Sequence, residues 1–75
     1  MKEYMQYISI DPEVRFGKPC IKGTRIAVGD IFGWLASGMS HEDILADYPS
    51  LKEGDIRAAL FFAADRETMI KIIAG

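Results

Sequence analysis

Apolar positions recur with a helical period over the second half of the chain. Val28, Ile31, Phe32 and Leu35 fall at i, i+3, i+4 and i+7 and form one apolar face. This predicts a first helix over 28–37, with Gly38 as the residue that stops it. A second helix is predicted over 40–48. Ser40 serves as N-cap and Asp43 as its reciprocal partner three residues on. Met39 and Ile44 bracket that cap as an apolar staple, Ile44, Leu45 and Tyr48 face inward, and Pro49 ends the helix. The same register then repeats: Leu51 and Ile56 bracket Lys52 as N-cap and Asp55. Lysine is a poor cap, so this end is expected to fray more. No Gly or Pro follows Gly54 until Gly75, so a third helix is predicted over 53–72, with a break near Arg66–Thr68 as an alternative.

The first 27 residues read differently. "YISID" (Tyr7 to Asp11) alternates and is β-branched, which suits a short strand. "DPEVRFGKP" is rich in turn formers, and "CIKGTRI" returns as a second short strand. Gly17 and Gly23 are expected at positive φ. The whole is read as one mainly α domain, a homeodomain-like trihelical helix-turn-helix unit with a short N-terminal β-strand pair. Residues 1–27 form the β arm and residues 28–75 the helical core.

The third helix carries more apolar surface than two neighbouring helices can cover. On a helical wheel Ile56, Ala59, Leu60, Ala63 and Ile70 share the docking face. A second stripe holds Ala58, Phe62, Met69 and Ile73, and Phe61 and Ile72 lie on another side. Two readings of Phe62 stand side by side: the N-terminal hairpin folds over it, or it belongs to an interface. The surplus is expected to drive self-association into a homodimer through this helix. Trp34, at the edge of its helix's core face, is either a core-edge residue or an interface anchor.

Charge changes the picture of the arm. The 75 residues carry a formal net charge of −2. Residues 1–29 are nevertheless net positive, through Lys2, Arg15, Lys18, Lys22 and Arg25, and residues 30–75 are net negative. No acid occurs between Val14 and Gly29. The segment is either a solvated structural hairpin, with Arg25 capping carbonyls or pairing with Asp30, or a basic arm meant for an anionic surface.

Candidate chemistry is sparse. "GKPCIKGT" resembles a phosphate loop only at a glance, because Lys22 precedes Gly23 and the spacing is wrong. His41 is the single histidine, at the exposed start of a helix. Cys20 is the single cysteine, flanked by Pro19 and Ile21, and reads as a buried structural thiol. One cysteine forms no internal disulfide, and with one histidine it supplies two of the four ligands a structural zinc needs. No metal, no cofactor and no catalytic constellation are expected, so the chain is read as a non-enzyme. No run approaches the ~20 apolar residues of a membrane span. A cytoplasmic protein is expected.

The helix-turn-helix outline raises DNA binding. The candidate contacts are Lys18, Lys22, Arg25, Lys52 and Arg57. The outward face of the third helix offers Gly54, Arg57, Phe61, Asp65 and Thr68, a weak set of base readers. An isoelectric point near 5.2 also argues against autonomous binding.

The stretch from Ile8 to Glu67 closely resembles the domain of unknown function 433 family. Its most specific pieces are "GKPCIKGTRI", the "GMS" before the second helix, and "DYPSL" followed by "DIRAAL". Lys52 departs from a more usual Ser or Thr cap, and Cys20 from a common aliphatic residue. The resemblance implies a small homeodomain-like protein similar to antitoxins of VapBC-type modules, which pair with a PIN-like ribonuclease toxin. It implies a basic arm drawn to the carboxylate cluster of that nuclease. Lys22 and Arg25 of that arm, together with the apolar Trp34, Phe61 and Phe62, are the partner-binding candidates. The resemblance also implies possible repression of its own operator DNA. The alternative is a stand-alone DNA-binding transcriptional regulator of helix-turn-helix type.

Overall fold

The computed structural model describes residues 3–74, with side-chain surroundings for residues 4–66. Three helices carry the fold: α1 (Val28–Ala36), α2 (His41–Asp47) and α3 (Glu53–Ala74). Each lies within two residues of its expected span. α3 runs unbroken past Arg66, so the alternative break is absent.

The caps explain these boundaries. Ser40 Oγ accepts the Asp43 amide at 3.1 Å, and Asp43 Oδ2 accepts the Ser40 amide at 3.0 Å. This is the complete reciprocal box that the sequence calls for. At α3 only half a box forms, since Lys52 has no side-chain acceptor: the Lys52 amide donates to Asp55 Oδ2 at 2.9 Å. α1 ends in a Schellman motif. Gly38, at φ 102°, donates to the Leu35 carbonyl, and Met39 donates to the Trp34 carbonyl, both at 3.1 Å.

Ahead of the helices, β1 (Ile8–Ser9) and β2 (Cys20–Ile21) pair antiparallel, with Ile8 opposite Ile21 and Ser9 opposite Cys20. The strands are shorter than the expected runs. Beyond β2 the chain turns through Gly23 at φ 81° and comes back beside itself. The Ile21 amide donates to Ile26 O at 2.9 Å, and Thr24 Oγ1 bridges the turn. The Val28 amide then bonds Pro19 O at 2.9 Å, which ties the entry of α1 to the hairpin.

The core is a single cluster drawn from both halves of the chain. Ile21, Ile31, Ile44 and Ile56 are essentially sealed, with Tyr4, Ile8, Val28, Leu51, Ala58, Ala59 and Phe62 around them. Each sealed aliphatic side chain contributes about 1.5–3 kcal/mol of burial free energy. Cys20 is buried and free, as expected of a structural thiol.

One element was not legible beforehand. Glu3–Tyr7 forms a 3₁₀ helix that packs along α3. Tyr4 stacks on Phe61, with ring centroids 6.2 Å apart, and packs at right angles to Phe62 at 6.5 Å. Its hydroxyl donates to Asp65, and that carboxylate raises the phenol's pKa by holding its proton. This segment covers the Ala58–Phe62 stripe, so Phe62 is 8% exposed and belongs to the core. Leu60, expected on the docking face, is 42% exposed instead. Met69, Ile70, Ile72 and Ile73 lie outside the described side chains.

Candidate protein-interaction site

The segment from Val14 to Gly29 is held in a defined shape. The Val14 amide bonds Asp11 O at 2.8 Å, and the Glu13 amide bonds Asp11 Oδ1 at 2.9 Å, which begins the turn. Three consecutive residues then adopt left-handed backbone: Arg15 at φ 51°, Phe16 at φ 60° and Gly17 at φ 83°. Glycine takes this conformation freely, but for phenylalanine it costs on the order of 1–3 kcal/mol. The turn closes with the Gly17 amide on Val14 O at 3.1 Å and the Lys18 amide on Arg15 O at 3.2 Å.

The Arg15 guanidinium locks this turn to the helical half. One nitrogen donates to Asp30 Oδ2 at 2.6 Å and to Arg25 O at 2.8 Å. The same Asp30 oxygen accepts the Ala27 amide at 3.0 Å and so caps α1. The sequence left Arg25 to pair with Asp30 or to cap carbonyls. The structure gives both tasks to Arg15, because the turn brings Arg15 over the start of α1, and leaves the Arg25 side chain exposed.

These contacts set the charge state. The Arg15 hydrogen bond, aided by the Ala27 amide, holds the Asp30 carboxyl below its ordinary value against the opposing effect of partial burial. The ionised form is therefore favoured in the folded state. The stability it adds is fully present above the unfolded carboxylate value of about 4 and is lost as pH falls through the lowered one. Asp30→Ala is expected to lower the melting temperature by a constant amount above about pH 5, and the gap should narrow below about pH 4. The hydrogen bond from the Ala27 amide alone accounts for about 1 kcal/mol. Thermal melts of both proteins from pH 7 to pH 2.5 check this; an unchanged gap down to pH 2.5 contradicts it.

Lys18, Lys22 and Arg25 all expose their side chains. Lys22 and Lys52 line one shallow depression together with Gln6, Tyr7, Ser50 and Asp55. Arg57 lies in another, formed by Tyr4, Gln6, Tyr7, Gly54, Ala58 and Phe61. There the Tyr7 ring sits close over Gly54, where an added Cβ would lie 3.6 Å from it. Thus Tyr4 and Tyr7 occupy the outward face of the N-terminal half of α3.

The aromatic candidates separate. Phe61 is 45% exposed, with Leu60 beside it. Phe62 is core and also lies 5.3 Å beneath the Arg66 guanidinium. Trp34 is half-buried and stacks on Tyr48, with centroids 4.0 Å apart, so it clamps α1 to α2. His41 Nδ1 lies 2.8 Å from Glu53 Oε2, linking the starts of α2 and α3. Sequence reasoning passed over Phe16 and Arg15. An aromatic residue ahead of a glycine in a turn, with no periodic apolar partner, was the available signal.

Among the described residues no three His, Cys, Asp or Glu side chains are grouped to hold a metal ion. No helix among them is long and apolar enough to cross a membrane.

Comparison with known proteins fits this geometry. The chain is 34% identical over 58 residues to the uncharacterized protein y4eO of Sinorhizobium fredii. That stretch covers 77% of this chain and 26% of the relative, so the chain spans about a quarter of the relative's length. It is also similar to the crystal structure of a DUF433 member protein from Anabaena variabilis, with a TM-score of 0.74 and 31% identity. That match covers 96% of this chain and 76% of the other. Residues 8–63 match the family described as protein of unknown function (DUF433), which takes in both strands and most of the helical core. The chain belongs to the DUF433 family.

Proposed function

We propose that this chain is an antitoxin-like protein of a VapBC-type module. It binds a PIN-like ribonuclease and blocks it in the cytoplasm, without catalytic activity of its own and without a cofactor. The observation that carries this reading is the rigid, outward-facing basic turn. Lys18 and Arg25 are exposed on backbone held by Arg15, which Asp30 anchors, Lys22 is exposed just past β2 with its amide on Tyr7 O, and no acid lies between Val14 and Gly29. Such a surface is complementary to a carboxylate-lined metal site, and charge complementarity speeds encounter and selects partners. The protein acts as a homodimer joined through Leu60, Phe61 and Ala64 of α3, a nearly wholly apolar depression edged by Arg57.

A stand-alone DNA-binding regulator draws less support. Base readout needs an open face near the start of α3. Here Tyr4 and Tyr7 lie across that face, and Glu53 and Asp55 in its first turn repel phosphates. Repression of the module's own operator would then fall to Lys18, Lys22 and Arg25, with Lys52 and Arg57 in support.

The test uses the protein encoded in the adjacent reading frame. The wild type is expected to suppress that protein's ribonuclease activity at equimolar ratio. Replacing Lys18, Lys22 and Arg25 together with alanine should slow association at least about tenfold at low salt and flatten its salt dependence. A neighbour with no ribonuclease activity, or full inhibition by the triple variant at an unchanged association rate, contradicts the reading.

A further inference from the structure

Phe16 is the most exposed large apolar side chain among the described residues, at 98% of its full surface. It makes no core contact, so packing does not explain it. It also sits on left-handed backbone that a phenylalanine adopts only at a cost. Two unfavourable features thus coincide at one residue. The surroundings enforce them: the Arg15 bonds to Asp30 and Arg25, the Gly17 and Lys18 amide bonds, and the Asp11 turn all fix the backbone around the ring. A side chain held out this way is preorganised, and binding through it forfeits little conformational entropy.

We propose that Phe16 is the anchor of the basic turn, seated on binding in an apolar pocket of the partner nuclease whose rim is acidic. This rests on the antitoxin-like reading given above and names the contact through which it works. The charges select the partner. Lys18 lies two residues from the ring, the Arg15 guanidinium ties the Arg25 backbone to the same turn, and Lys22 is exposed in the same acid-free segment, so the partner surface must carry carboxylates. A second copy of this chain brings like charges together when it meets the same turn. A nucleic acid extends past the turn onto residues 30–75, whose net charge is negative. A folded protein offers a bounded acidic patch with a pocket in it. The basic groups then govern the rate of encounter, and the ring governs how long the complex lasts.

Glycine is at ease where Phe16 stands, so Phe16→Gly removes the ring and relieves the backbone together. Its melting temperature is expected to equal or exceed that of the wild type. Its complex with the nuclease encoded in the adjacent frame is expected to weaken at least about 30-fold, mainly through faster dissociation. Phe16→Tyr keeps a ring and should stay within about threefold of the wild type. Three measurements suffice: thermal melts, binding kinetics with that purified nuclease, and gel shift on single-stranded RNA. Wild-type affinity in Phe16→Gly overturns the anchor and leaves the antitoxin-like reading standing. Absence of any complex with the wild type overturns both. RNA binding that disappears in Phe16→Gly, with nuclease binding intact, identifies a stacking platform for nucleic acid and overturns the anchor.

Discussion

Phe62→Ala is expected to destabilise the fold by about 3–5 kcal/mol, the range for a large buried aromatic cut back to a methyl group. A domain of this size has about 4–11 kcal/mol in all. The variant should therefore melt far below the wild type. The reason is structural. Phe62 packs at right angles to the Tyr4 ring and lies in the cluster with Ile56, Ala58 and Ala59. It fastens the N-terminal 3₁₀ helix to α3. Phe62→Asp should go further and leave much of the chain unfolded at 25 °C, since an unpaired carboxylate would lie in that cluster. Circular dichroism during urea titration checks both. A Phe62→Asp protein with a wild-type midpoint would show that the stripe is surface after all.

That stripe also shows where the sequence was readable. Helix boundaries were legible because caps are local chemistry: Ser40 and Asp43 answer each other within one turn, and Gly38 stops α1 through its own backbone freedom. Burial of Ile31 followed from period, and that of Ile44 and Ile56 from period together with the apolar staples. The cover over Phe62 did not. It comes from "EYMQY", five residues with no clear period of either kind, placed against α3 by a contact between Tyr4 and Asp65, 61 residues apart. Leu60 was misplaced for the same reason. A wheel gives the relative angle of two side chains, but only the neighbours decide which angle points inward. At the candidate site the basic composition was plain in sequence. The division of labour among its arginines was not: Arg15 and Arg25 are alike as residue types, and only the left-handed turn decides which one reaches Asp30.

Leu60→Asp separates association from folding. Leu60 is 42% exposed beside Phe61, at 45%, and Ala64 extends the same apolar depression one turn on. In the proposed homodimer a second copy of the same face occupies this patch. Small domains of this size gain stability by associating. An aspartate at position 60 would set two like charges against each other across a two-fold contact. The dimer dissociation constant should rise at least about 100-fold, close to 3 kcal/mol. Monomer stability should change by less than about 1 kcal/mol, because position 60 is open to solvent in the monomer. Phe61→Asp is a poorer probe, since Phe61 also stacks on Tyr4 and its loss disturbs the N-terminal cover. Sedimentation of wild type and Leu60→Asp from 1 to 100 micromolar reads the difference. The wild type should pass from monomer to dimer within that range while the variant stays monomeric, and urea melts at 1 micromolar should nearly coincide. A wild type that is monomeric at 100 micromolar, or a variant that dimerises as readily, would remove α3 from the association surface.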